Sequence, residues 1–146
     1  MQNNIPLFKV FMSEDVIEPL NKVLMSGFIG EGPQVEKFEM LLKTHFQNLL
    51  LMSLNSATSA DHLALHLLRK SQGVWPGIEE GDEVLATPLT CTASNWPILA
   101  NRYNIKWVDV DTETCNMDLD DLERKITKKT KVILVVHWGG NPVDLD

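Results

Sequence analysis

Residues 54–68, LNSATSADHLALHLL, set Asn55, Ser56, Ala57, Thr58 and Ser59 side by side just ahead of a helical pattern. Small side chains let a ligand approach the backbone, and hydroxyls add hydrogen-bond donors. The first N–H groups of a helix have no partner within it and carry the positive end of its dipole, an arrangement that suits a phosphate. The same residue types also make an ordinary helix start, with Thr58 or Ser59 as N-cap. Taken alone the stretch reads more readily as a cap, because short motifs of this kind recur without a ligand.

Two further stretches have chemistry-bearing residues where a strand hands over to the next element. In TPLTCTASNWP, residues 87–97, Thr90, Thr92, Ser94 and Asn95 cluster at the start of a helix, either as a capped turn or as a second polar loop on the same rim as Ser56–Thr58. In VVHWGGNP, residues 135–142, two glycines and a proline form a tight turn that leaves His137 and Trp138 beside it. A lone histidine is more often a hydrogen-bonded structural residue than a catalyst, and Trp138 reads as packing. Asp109 and Asp111 flank a strand end, while Asp118, Asp120 and Asp121 open a helix, where carboxylates favour the dipole. No metal site is expected from them. Glu31, Glu79 and Glu80 read as solvated loop charges.

The elements that would position these residues follow from periodicity. Ser13 caps a helix carrying Val16, Ile17, Leu20, Val23 and Leu24, with Pro19 marking a late start or a kink and Gly27 the stop. GFIGEGP is a glycine-rich loop, and Val35, Phe38, Leu41 and Leu42 mark a second helix. The apolar run at 49–54 reads as a buried strand. Ala60, Leu63, Ala64, Leu67 and Leu68 give an amphipathic helix. EVLAT, IKWVDV and KVILVV read as strands, separated by a helix over 92–101 interrupted by Pro97 and a short helix capped by Asp118. Apolar strands alternating with helices predict an α/β fold, a mostly parallel sheet with helices on both faces. No repeat and no domain boundary is evident.

Composition narrows the function. The chain has 146 residues, 44% hydrophobic and 23% charged, with formal net charge −7, a soluble globular balance. The scattered Lys and Arg residues argue against nucleic acid, which needs a basic face. Two cysteines, Cys91 and Cys115, form no zinc-type cluster and no disulfide framework, so a reducing, cytoplasmic setting is expected. The start, MQNNIPLFKV, lacks the pattern of a signal peptide, and no apolar run approaches the ~20 residues of a membrane span.

The stretches IPLFKV, SGFIGEGPQVEKFE, NSATSADHLAL, GDEVLATPLTCTASNWPIL, VDVDTETCNMDLDDLE and TKKTKVILVVHWGGNPVDLD run in order along nearly the whole chain. In that order the sequence resembles the DegT/DnrJ/StrS-type family of pyridoxal-phosphate-dependent aminotransferases, which act on keto-sugars linked to nucleotides. The resemblance implies the N-terminal part of a type I aminotransferase large domain, with residues 1–146 an incomplete cofactor-binding domain and the C-terminal small domain absent. It implies that Ser56, Ala57 and Thr58 hold the phosphate of pyridoxal 5'-phosphate. Where the family often has glycine, Ala57 is compatible if its φ is negative. Cys91 falls at the cofactor-binding position where the family has an aromatic that stacks on the pyridine ring, and Trp96 is a ring that would substitute. Gly30, Glu31 and Gly32 fall in the segment near the substrate entrance.

The family's Schiff-base lysine and its pyridine-pairing aspartate lie beyond HWGGNPVDLD, so by resemblance none of the ten lysines here is catalytic. The expectation is an aminotransferase that takes an amino group from a donor such as glutamate and passes it to a nucleotide-linked keto-sugar in polysaccharide or amino-sugar biosynthesis. This chain by itself is expected to be inactive. The alternatives are a non-catalytic, phosphate-binding remnant and a pyridoxal-dependent sugar dehydratase of the same family. Family members work as homodimers. A sheet ending after KVILVV is expected to expose an edge and an apolar face, giving marginal solubility.

Overall fold

The computed structural model describes residue 6 and residues 9–145. Of the stretch IPLFKV, Ile5, Leu7 and Phe8 lie outside them, as does Asp146. The described chain divides into two compact units, Met1–Ser53 and Leu54–Asp146.

The first unit is helical. Ser13 caps a single 3-10 turn, Glu14–Val16, its Oγ accepting the Asp15 N–H at 3.3 Å. Helix α1, Ile17–Ser26, follows and stops at Gly27, whose φ of 73° is the left-handed conformation that only glycine adopts cheaply. Pro19 falls in the first turn of α1, where no intrahelical N–H bond is lost; the α-helix itself begins at Ile17, after the 3-10 turn that Ser13 caps, so the proline accompanies a late start. Helix α2, Pro33–His45, has Pro at its first position. Glu39 on α2 accepts both the backbone N–H (2.7 Å) and the hydroxyl (2.9 Å) of Ser53, and these bonds hold its carboxyl below the usual range.

The expected strand at 49–54 does not form. Gln47 takes a φ of 51°, and Asn48 Oδ1 accepts the Leu50 N–H at 2.9 Å, so the chain turns where it was expected to extend. Leu49, Leu50 and Met52 are exposed. An apolar run becomes a strand only when it finds a ladder partner, and this one has none among the described residues.

The second unit is α/β. Helix α3, Ala57–Leu67, precedes strand β1, Glu83–Ala86; helix α4, Thr92–Ala100, leads to β2, Asn104–Trp107; helix α5, Leu119–Lys125, leads to β3, Thr130–Leu134. All pairs are parallel in the order β2-β1-β3. The central strand buries both faces, as parallel strands do. Val84 and Ala86 join Leu65 of α3, Ile98 of α4, Ile78 and Tyr103 on one side. Leu85 joins Val108, Met117 and Leu122 of α5 on the other. Helices therefore cover both faces, as expected. Tyr103 is buried with its hydroxyl donating to the Leu65 carbonyl at 3.1 Å, and burial pushes its pKa up. No helix among the described residues is long and apolar enough to cross a membrane.

Candidate functional site

The cap of α3 is Ser56, two residues before Thr58 and three before Ser59. Its backbone is extended (φ −162°, ψ 157°), its Oγ accepts the Ser59 N–H at 3.1 Å, and its carbonyl takes the Ala60 N–H. That accounts for the third and fourth N–H groups and leaves those of Ala57 and Thr58 without partners among the described residues. Ala57 belongs to the helix and has no positive φ, so an alanine sits there without strain.

The charge pattern separates the starts of α3 and α4, whose first turns carry no acidic residue, from those of the other helices. The first turns of α1, α2 and α5 carry Glu18, Glu36, and Asp120 with Asp121, which satisfy the dipole internally. The first turn of α3 has no acidic residue. A phosphate is therefore the kind of group that this donor set fits: two free N–H groups, a hydroxyl and an uncompensated positive helix end.

Cys91 is the N-cap residue of α4, extended at φ −62°, ψ 137°, exposed, and without a side-chain cap bond. It lies past Thr87, Pro88, Leu89 and Thr90, beyond the carboxyl end of the central strand β1, the rim where open α/β sheets place their sites. Of the polar cluster beside it, Thr90 Oγ1 donates to Ser94 Oγ at 3.2 Å and Asn95 Nδ2 donates to the Thr87 carbonyl at 3.0 Å. Pro97 is accommodated within α4. The inference that Ser56–Thr58 share this rim rested on a strand at 49–54; without that strand, topology alone does not bring them to it. What joins α3 to α4 is packing. Asn101, just past α4, donates from Nδ2 to the His62 carbonyl of α3 at 3.1 Å.

Gly30, Glu31 and Gly32 belong to the first unit. Gly30 and Gly32 line a cavity of about 450 Å³ together with Lys22, Phe28 and Val35. A Cβ on Gly32 would come within 2.3 Å of the Phe28 ring, so a side chain there would have to displace the ring.

The loop after β3 has an organiser that sequence reasoning passed over. Buried Asn116 donates from Nδ2 to the carbonyls of Asn141 (3.1 Å) and Pro142 (3.2 Å), and its Oδ1 accepts the Trp138 N–H at 3.1 Å. No spacing rule marks an asparagine that works across more than twenty residues. His137 serves the same loop, its Nδ1 accepting the Val143 N–H at 3.1 Å. The acidic residues have structural partners too. Asp111 Oδ1 accepts from the N–H groups of Thr114 and Glu113, which hold its pKa down, and Asp118 caps α5.

The family model of the DegT/DnrJ/EryC1/StrS aminotransferases matches residues 11–146. Among solved structures, AtS13 from Actinomadura melliaura is 50% identical with a TM-score of 0.84, over 97% of this chain and 36% of its own. The sugar aminotransferase CalS13 from Micromonospora echinospora is 48% identical with a TM-score of 0.82, over 97% of this chain and 37% of its own. The E. coli GDP-4-keto-6-deoxy-D-mannose-3-dehydratase with bound hydrated PLP is 26% identical with a TM-score of 0.84, over 96% of this chain and 36% of its own. The chain spans about a third of the length of the curated relatives it matches.

Proposed function

Since this chain belongs to the DegT/DnrJ/EryC1/StrS aminotransferase family, we propose that it forms the phosphate-holding part of a pyridoxal-phosphate-dependent enzyme that moves an amino group onto a nucleotide-linked keto-sugar. The observation that carries this reading is the start of α3. Ser56 fixes the turn, and the N–H groups of Ala57 and Thr58 remain available to an anion.

When bound, the cofactor would supply the electron sink that lets an amino group be exchanged between a donor such as glutamate and the sugar. The chain's own residues have a narrower task. Ser56, Ala57 and Thr58 orient the phosphate, and Cys91 takes the place of the ring-stacking aromatic, offering a polarizable sulfur. Gly30, Glu31 and Gly32 belong to the substrate entrance. On this reading residues 1–146 are an incomplete cofactor-binding domain of a cytoplasmic homodimeric enzyme, and they include neither the lysine nor the aspartate of the catalytic pair.

A second reading has support in the same comparisons, because two matched structures and one curated relative are sugar dehydratases. The phosphate cradle serves either chemistry. A third, a cofactor-binding remnant without chemistry, differs only in turnover.

Equilibrium titration of the chain with pyridoxal 5'-phosphate and with pyridoxal tests the proposal. Saturable binding of the phosphate ester, at least about 10-fold tighter than pyridoxal, is the expected result. Equal binding, or none, overturns it.

A further inference from the structure

In the loop after β3, the His137 ring accepts the backbone N–H of Val143 at Nδ1, at 3.1 Å. A backbone N–H can only donate, so this contact requires a bare Nδ1. Two left-handed glycines between the partners, Gly139 at φ 60° and Gly140 at φ 83°, let the chain turn back toward the ring. Val143 is 6% exposed and is the only buried residue beyond β3 among the described residues, whereas His137 is exposed. The bond thus joins a buried residue to a ring that solvent protons can reach.

Asn141, Pro142 and Val143 all line a pocket of about 410 Å³ that also takes in the start of α5. Two different fastenings hold this wall. The carbonyls of Asn141 and Pro142 are held by the Asn116 amide, which does not titrate. The Val143 N–H has only the imidazole, which does, and no other acceptor among the described residues. The charged groups that line the same pocket are all carboxylates: Asp111 from the segment after β2, Asp118 and Asp120 at the start of α5, and Asp144 beside Val143. Asp111 and Asp118 accept backbone N–H groups.

We propose that His137 is a pH-sensitive latch on this pocket: the neutral ring holds Val143 in the wall, and protonation at Nδ1 releases it. Histidine is the side chain whose charge changes closest to neutral pH. The arriving proton occupies the lone pair that had accepted the Val143 N–H, and the contact becomes donor against donor. The sign follows directly. The bond is present at high pH, while the ring is neutral, and is lost as falling pH charges it. Asn116 keeps its hold on Asn141 and Pro142 throughout, so the opening is confined to the Val143 side. No residue of α3 takes part, and the latch stands apart from the phosphate cradle.

Amide hydrogen exchange of the chain between about pH 8 and about pH 5, corrected for the intrinsic rate, tests it, with the His137 ring followed by its own NMR signals. Protection of the Val143 amide should fall roughly 10-fold in step with the ring's titration. The Trp138 amide, accepted by Asn116 Oδ1, should keep its protection over the same range. His137→Asn offers a carbonyl oxygen close to the place of Nδ1, and should make Val143 protection independent of pH. His137→Phe, with no acceptor, should lower that protection at every pH. Constant Val143 protection while the ring titrates overturns the latch, as does a ring that stays neutral throughout. Equal losses at Val143 and Trp138 overturn it too, because they report general unfolding. So does a pH dependence that survives in His137→Asn.

Discussion

The carboxylate of Asp121, on α5, accepts the backbone N–H of Asp109 at 2.8 Å, tying the helix to the segment that leaves β2. The same carboxylate pairs with Lys125 at 2.6 Å and Arg124 at 3.2 Å. The Asp109 N–H and then Lys125 pull its pKa from 3.8 to about 2. A folded-state pKa below the unfolded one contributes stability that is present above the unfolded value and lost as pH falls through the folded one. Stability from this group should therefore be full above about pH 4 and decline toward pH 2. Asp121→Asn should lower the melting temperature at neutral pH and flatten the slope of stability between those values. An unchanged slope would show that the carboxylate carries no such coupling.

The clamp of Asn116 on the loop after β3 makes a separate prediction. Asn116→Ala removes two donors and one acceptor from buried surroundings and leaves the Trp138 N–H without its partner. The cost should be about 2 kcal/mol by denaturant unfolding. Amide exchange should rise at Trp138 more than at residues of β1. Asn116→Asp, which keeps only the acceptor, should protect Trp138 and still loosen Asn141 and Pro142.

How far the sequence revealed this arrangement depended on how local each signal was. Helix α5 was legible because Asp118, Leu119 and Leu122 carry cap and period within seven residues. The start of α3 was legible as a helix start, but its cap was placed late: Thr58 and Ser59 have the right chemistry, and only the extended backbone at Ser56 decides among the hydroxyls. The run at 49–54 misled because apolar character does not supply a ladder partner, and the Gln47–Leu50 turn is set by one αL residue and one side-chain bond. Asn116 was beyond reach for the opposite reason: what matters about it is a set of partners more than twenty residues away in the chain.

Gly77 offers a steric test of the second unit. It has a φ of 91°, and a Cβ there would come within 2.6 Å of the Arg69 carbonyl oxygen, a backbone atom that cannot turn aside. Gly77→Ala adds conformational strain to overlap and should cost about 3 kcal/mol. Gly73→Ala, at φ 58° with no atom within 4 Å, should cost only the conformational part, about 1 kcal/mol. Equal losses in thermal unfolding would show that the overlap is relieved by backbone movement.

The phosphate cradle can be tested without unfolding it. Ala57 is the first residue of α3, and Ser56 before it is extended at ψ 157°, the conformation a following proline requires. Ala57→Pro therefore deletes one of the two free N–H groups while preserving the helix. Its stability should be unchanged or slightly raised, because proline also restricts the unfolded chain. Affinity for pyridoxal 5'-phosphate should fall roughly 10-fold, the worth of one charge-assisted hydrogen bond. Ser56→Ala does the reverse: it should cost about 1 kcal/mol of stability as a lost cap, with any loss of affinity following from disorder of the turn. If Ala57→Pro binds the cofactor as well as the unaltered chain does, the Ala57 N–H does not hold the phosphate, and the cradle assigned to the start of α3 is wrong.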